Sequence, residues 1–230
     1  MITQKGKGIL VQGKKHRQNI LRVLSALVLG PIFIIAIMFS KLLFCFLMLL
    51  VTIGMLYEWC QMTKSSYCYQ LLGFMIIPVP TISLIFIAIN ETQYWLLLLY
   101  FIIIWSVDTF AMVGGKNLKG PKLAPTISPN KTWSGLLIGI LGSGLAAFLL
   151  SLFPGFNLSQ PYLLQRQHLI IAAIFLALIA QLSDLFISYF KRKFAIKDSG
   201  TIIPGHGGVL DRFDSIILTA PILFVTSQIL

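Results

Sequence analysis

Charge is scarce in this chain. Only 11% of its 230 residues are Asp, Glu, Lys or Arg, against roughly 25% in a soluble domain, and only seven are acidic. With a mean hydropathy of +0.88, that scarcity excludes a water-soluble globule, because too little polar surface exists to cover one. Cysteine is scarce as well. Cys45, Cys60 and Cys68 have no metal-ligand spacing, and they read as small buried hydrophobes. Also lacking near the N-terminus is a short apolar stretch ending in small residues, so no cleavable signal peptide is expected. Residues 1–19 are instead basic, glycine-rich and polar, and read as a cytoplasmic tail ahead of a single transmembrane domain over 20–230.

What the chain does have is apolar runs. A bilayer core of roughly 30 Å takes about 20 apolar residues per helical span. Seven such segments fit between the polar stretches, at about 20–39, 42–60, 71–89, 93–113, 134–153, 168–187 and 213–229. Ser40 and Lys41 are the only polar break between the first two, which must therefore form a hairpin: one helix from Leu21 to Cys60 would be about twice the length a membrane accepts. The expected fold is all-α, a polytopic transmembrane helix bundle of about seven spans.

A net charge of +11 raises nucleic acid as a partner, but the distribution of the charge argues against it. With the N-terminus in the cytoplasm, sixteen of the eighteen Lys and Arg residues fall on that side: six from Lys5 to Arg22, Lys64, four from Lys116 to Lys131, and five from Lys191 to Arg212. Only Lys41 and Arg166 fall outside. This positive-inside bias predicts an N-in, C-out protein and gives much of the basic excess a topological cause.

That topology brings two polar loops to one face. The first, "DTFAMVGGKNLKGPKLAPTISPNKTWSG", covers residues 108–135; Gly114 and Gly115 are expected to end span four, and Asn130 or Thr132 to cap span five. The second runs from Asp184 to Asp214. It sets Ser188 one turn from Asp184, with Lys191 and Arg192 about a turn further on. Lys197, Asp198, Ser199 and Gly200 then form a polar turn, and Pro204-Gly205-His206-Gly207-Gly208 follows. Successive glycines let backbone N–H groups approach an anion. Asp211 and Asp214, three apart, would share a helical face.

Carboxylates alone would suggest a divalent cation, and lysine, arginine and glycine alone a phosphate. Together they fit a metal–nucleotide site, in which Asp holds Mg²⁺ through oxygen while Lys and Arg neutralise phosphate. At the edge of an apolar bundle, the natural pair of substrates is a lipid phosphate and a soluble nucleotide. His206 is suited to donating to a phosphate or acting as an acid or base.

These residues resemble the signature of the phosphatidate cytidylyltransferases, or CDP-diacylglycerol synthases. It is matched by Ser188, Lys191, Arg192, Lys197, Asp198, Gly200, Pro204 to Gly208, Asp211, Arg212 and Asp214, and the earlier loop supplies Asp108, "KLAPTISPNKTW" and Gly135 in the family's order. The resemblance implies condensation of CTP with phosphatidic acid to CDP-diacylglycerol and pyrophosphate, dependent on Mg²⁺, by a homodimeric multi-pass protein of the inner (cytoplasmic) membrane with its active site facing the cytoplasm. It also implies Asp184 and Asp211 as metal ligands, and Lys191, Arg192, Lys197 and Arg212 as phosphate-holding cations. Asp198 and Asp214 would orient those cations or bind metal through water. Gly205, Gly207 and Gly208 around His206 would shape the triphosphate pocket, with Asp108, Ser128, Lys131, Thr132 and Ser188 as further substrate-binding candidates. One position departs from the pattern: the family commonly has an acidic residue before the serine, where this chain has Ile187. The alternatives are a CTP-dependent polyprenol or lipid kinase and a non-catalytic carrier of anionic lipid.

Overall fold

The computed structural model describes residues 28, 30–89, 94–156, 166–203 and 207–229. The tail over 1–19, and the site candidates Gly205 and His206, lie outside the described residues.

Helix α1 (Gly30–Phe39) runs to Ser40, whose hydroxyl accepts the Leu43 N–H at 3.2 Å and caps α2 (Lys41–Met62). The polar break expected between the first two spans is thus a helix cap. Next come α3 (Tyr67–Ile76) and α4 (Pro78–Ile89), which form one apolar run with proline opening its second half. Helix α5 (Tyr94–Leu118) leads to a short hairpin of β1 (Lys122–Ala124) and β2 (Ser128–Thr132), followed by α6 (Trp133–Ser151) and α7 (Arg166–Lys193). A single turn, α8 (Leu210–Phe213), precedes α9 (Ile216–Ile229).

Among the described residues, five helical stretches are long and apolar enough to cross a bilayer: α2, α3 with α4, α5, α6 and α7. Helices α1 and α9 are shorter apolar helices at the first and last of the seven expected positions. The chain is a multi-pass helical membrane protein.

Two local expectations need correction. Gly114 and Gly115 do not end the fourth span; α5 continues to Leu118 and stops where Lys119 and Gly120 turn to φ values of 54° and 107°. The loop that follows, in a fold expected to be all-α, also holds a short hairpin. Lys122 pairs with Thr132 and Ala124 with Ser128 in an antiparallel register. Three prolines in so short a stretch masked the pairing, since none of them can donate to a ladder.

The glycines inside α5 and α6 serve packing. In a bilayer, lipid tails are as apolar as leucine, so helices associate through close backbone approach rather than through burial of oily surface. A Cβ on Gly135 would come within 2.7 Å of the Ala111 carbonyl oxygen, and one on Gly139 within 2.9 Å of that of Val107. A Cβ on Gly114 would strike Ile138, and one on Gly142 the ring of Phe110. The opposite side of α6 exposes Leu137, Leu141, Leu145 and Leu149, a surface for lipid tails. Gly139→Val should therefore lower stability by about 1–3 kcal/mol, read as a fall in the unfolding temperature in detergent. An unchanged value would remove the seam from the account.

Two apolar clusters complete the interior. The larger joins α1, α2, α4, α5, α7 and α9 around Phe44, Tyr100 and Phe101; the Tyr100 hydroxyl meets Thr219 Oγ1 at 2.7 Å, so its polar tip is satisfied. The smaller, with Met55, Trp59, Ile187, Phe190, Val209 and Leu210, lies beneath the polar loops.

Candidate functional site

Helix α7 carries one wall of the site. Gln181, Asp184, Ser188 and Lys191 recur at spacings of three and four, so they share one face near its C-terminal end. The Ser188 hydroxyl donates to Asp184 Oδ1 at 3.1 Å, as the spacing predicts. From the hairpin, Lys131 reaches across to α7. Its Nζ lies 2.6 Å from Asp184 Oδ2 and donates to Gln181 Oε1 at 2.9 Å, and Gln181 Nε2 in turn donates to Asp108 Oδ1 on α5 at 3.5 Å. Gln181 had no place in the sequence reading. Only its spacing from Asp184, Ser188 and Lys191, on one polar face of α7, could have pointed to it.

Lys191 forms the second node. Its Nζ donates to Asp211 Oδ1 at 2.8 Å and stands 3.9 Å from Asp214 Oδ2. Both carboxylates therefore face the same cation, as their three-residue spacing implies. This node is more enclosed than the first: the Lys191 and Asp211 side chains are each 8% exposed, against 17% for Lys131 and 24% for Asp184. Asp211 is also a hub for backbone, because its Oδ2 accepts the N–H groups of Ser199 at 2.8 Å and Gly208 at 3.1 Å.

The two nodes form one electrostatic unit. Asp184 acts on Asp108, Asp214 and Lys191, and Lys131 acts on Asp108 and Asp214. Four carboxylates (Asp108, Asp184, Asp211, Asp214) and three cations (Lys131, Lys191, Arg212) take part in it. Lys197, Asp198 and Arg212 are exposed at the rim.

Other candidates are engaged in building the site. Arg192 donates from Nε to the Ile127 carbonyl at 2.9 Å and from Nη1 to that of Ile196 at 2.8 Å, tying the hairpin to the second loop. Thr132 is the N-cap of α6, its Oγ1 accepting the Gly135 N–H at 3.1 Å, which decides between it and Asn130. Ser128 lies at the start of β2, paired in register with Ala124. Ser183, not singled out in the sequence, donates to the Asp214 carbonyl and accepts the Leu218 N–H at 3.1 Å, joining α7 to α9.

Gly207 has φ +90° and pairs with Ile203, a conformation that favours glycine. Gly208 is required for a reason different from phosphate approach: a Cβ there would collide with Ser199 Oγ and with the carboxylate of Glu58. Glu58, near the end of α2, is not among the residues that the sequence motifs single out. Its carboxylate accepts the Ser199 hydroxyl at 2.7 Å and the N–H groups of Val209 and Leu210, both at 2.9 Å. Ile187 is 1% exposed in the smaller apolar cluster, among Met55 and Trp59 of α2. An apolar side chain thus fills the departing position, and the carboxylate at that border comes from α2.

An apolar bundle that carries lysines, carboxylates and a glycine turn at one end defines a membrane-embedded transferase of phosphate-bearing groups. Comparison with known proteins makes this specific: residues 63–230 match the Cytidylyltransferase family, and the chain belongs to it. The chain is 61% identical over 224 residues to a phosphatidate cytidylyltransferase of Rickettsia bellii, covering 97% of each chain. A phosphatidate cytidylyltransferase of Rickettsia conorii is 60% identical over 225 residues, 98% of each chain. One from Staphylococcus saprophyticus is 36% identical over 165 residues, 70% of this chain and 61% of that relative.

Proposed function

We propose that this protein condenses CTP with phosphatidic acid to give CDP-diacylglycerol and pyrophosphate, in phospholipid biosynthesis. The observation that carries the reading is the double lysine–carboxylate cluster, Lys131–Asp184 at 2.6 Å and Lys191–Asp211 at 2.8 Å, held at one end of an apolar bundle. The names of the full-length relatives point to the same reaction.

The donor set suits Mg²⁺. The carboxylates offer hard oxygens, and the Lys131 ammonium on Asp184 marks a position where positive charge is favourable. Among the described residues, no three Asp, Glu, His or Cys side chains come together closely enough to cage an ion alone. That agrees with Mg²⁺, which keeps waters and binds through one or two carboxylates plus substrate phosphate. Asp184 and Asp211 would hold it, and it would supply charge neutralisation on the triphosphate.

The reaction forms one bond and breaks one. A phosphatidate oxygen attacks the α-phosphorus of CTP, and the bond to the β-phosphate breaks with its electron pair leaving on pyrophosphate. No enzyme nucleophile is needed, because such transfers rest on positioning and charge neutralisation. Lys191, Asp211 and the backbone at Ser199 and Gly208 hold the nucleotide, Lys131 at the hairpin meets the lipid phosphate, and Lys197 and Arg212 at the rim take outer phosphate charge.

The basic residues favour N-in, C-out insertion in the cytoplasmic membrane, with the site facing the cytoplasm where CTP resides. A homodimer is the assembly that the family resemblance implies.

Purified protein in detergent micelles, given CTP, phosphatidic acid and Mg²⁺, should yield CDP-diacylglycerol by mass spectrometry. Chelating the metal should stop the reaction and returning it should restore the rate. A folded protein that makes none would overturn the reading; unchanged activity under chelation would remove Mg²⁺ from it.

A further inference from the structure

Glu58 is an anomaly for a membrane helix. It is 1% exposed at the end of α2, and among the described residues no ion pair reaches it. A buried carboxylate without a cation persists only when hydrogen-bond donors satisfy it. Here the donors all come from the loop between α7 and α9. Oε1 accepts Val209 N–H, and Oε2 accepts Leu210 N–H and the Ser199 hydroxyl.

The same two segments are gripped from the other side. Asp211 Oδ2 accepts the Ser199 and Gly208 N–H groups, while its Oδ1 holds Lys191. Ser199 and residues 208–210 are therefore clamped between two carboxylates on different helices. A second observation is steric. A Cβ on Gly200 or on Gly208 would come within 2.8 Å of Glu58 Cδ, so both glycines are needed to seat this side chain. The loop is shaped around Glu58 as much as around any ligand.

The two carboxylates differ in what else they touch. Asp211 also faces Lys191, whereas Glu58 is enclosed and, among the described residues, accepts hydrogen bonds from loop atoms alone. We infer that Glu58 is a positioning residue for the nucleotide: from α2 it fixes Ser199 and residues 208–210, so that Asp211 and Lys191 are presented in the geometry that binds CTP. This rests on the proposed function. When Asp211 turns to a ligand and its hold on Ser199 and Gly208 loosens, Glu58 is the anchor that remains. A linkage of this kind predicts weaker nucleotide binding without weaker lipid binding, since Lys131 bonds to Gln181 and Asp184 of α7 rather than to Ser199 or residues 208–210.

The test uses the full chain in micelles, with Glu58→Gln and Ser199→Ala beside wild type. Gln keeps the shape, but its NH₂ must face at least one of the N–H donors. Glu58→Gln should raise KM for CTP about tenfold, with KM for phosphatidic acid changed by less than about twofold. Ser199→Ala removes one donor of three and should raise KM for CTP by about threefold. Calorimetric titration with CTP and Mg²⁺, without lipid, should give the same shifts in Kd. A merely structural role would lower the folded yield and kcat while leaving both KM values in place, and that result overturns the inference. Equal rises in both KM values would do so too. If Glu58→Gln does not fold, Ser199→Ala decides alone, and a wild-type KM for CTP there is decisive against. An inactive, folded wild type overturns the functional reading and this inference with it; an active wild type with unaffected variants overturns this inference only.

Discussion

Asp184→Asn is expected to reduce turnover by roughly a thousandfold or more while leaving the protein folded. Asn is isosteric and can still accept from Ser188, so the loss falls on charge. Asp184 is the more open of the two central carboxylates, at 24% side-chain exposure, and in the proposed site it is the carboxylate that metal-bound CTP reaches first. Its partner does not become an orphan in the variant, because Lys131 keeps Gln181 Oε1 at 2.9 Å. A partly exposed ion pair of this kind contributes about 1 kcal/mol or less, so the unfolding temperature should move little. Rates of CDP-diacylglycerol formation and thermal unfolding in detergent check both halves. A rate within about tenfold of wild type would take Asp184 out of the chemistry.

Asp211→Asn should cost both activity and stability. Asp211 is 8% exposed and connects three elements: Lys191 of α7, Ser199 of the loop and Gly208 before α8. Removing one partner of a buried pair leaves Lys191 with Asp214, at 3.9 Å, as its remaining ion pair among the described residues, and costs about 3 kcal/mol. The amide would also set an NH₂ against either Lys191 or the two N–H donors. The expected result is an activity loss as large as for Asp184→Asn, together with a clear fall in unfolding temperature. A variant as stable as wild type would mean that Glu58 alone holds the loop, and that Asp211 is a ligand with no structural part.

The contrast between these variants follows from geometry that the sequence carries unevenly. Local features were legible. The Ser188–Asp184 bond, the shared face of Asp211 and Asp214, and the Ser40 break each depend on residues within four positions of one another, where helical period decides who meets whom. The apolar segments were legible for the same kind of reason, since span length is set by the bilayer.

Long-range partners were not. Glu58 and Leu210 are 152 residues apart, and Lys131 and Gln181 are 50 apart; no periodicity connects them. Glu58 in particular lies in no motif, and its hydrogen-bond partners all come from the distant loop between α7 and α9. Glycine misled in a different way. Gly114 and Gly115 have the composition of a helix stop, yet they sit inside α5, and at Gly114 the reason for glycine is Ile138 of α6, which leaves no room for a side chain. A stop and a packing seam share the same residue type, and only the neighbouring helix distinguishes them. The hairpin was hidden because strands of three and five residues, with Pro121 and Pro125 on either side of β1 and Pro129 inside β2, are too short to show alternation.

The most direct test of the central claim is the fate of each phosphorus of CTP. CTP labelled at the α-phosphate, or in parallel at the γ-phosphate, is given to the purified protein with phosphatidic acid and Mg²⁺, and the lipid and aqueous phases are counted. Transfer of the cytidylyl group predicts α-label in the lipid and γ-label in aqueous pyrophosphate. Lipid labelled from the γ-phosphate would identify a kinase and contradict the account, as would lipid that takes label from neither.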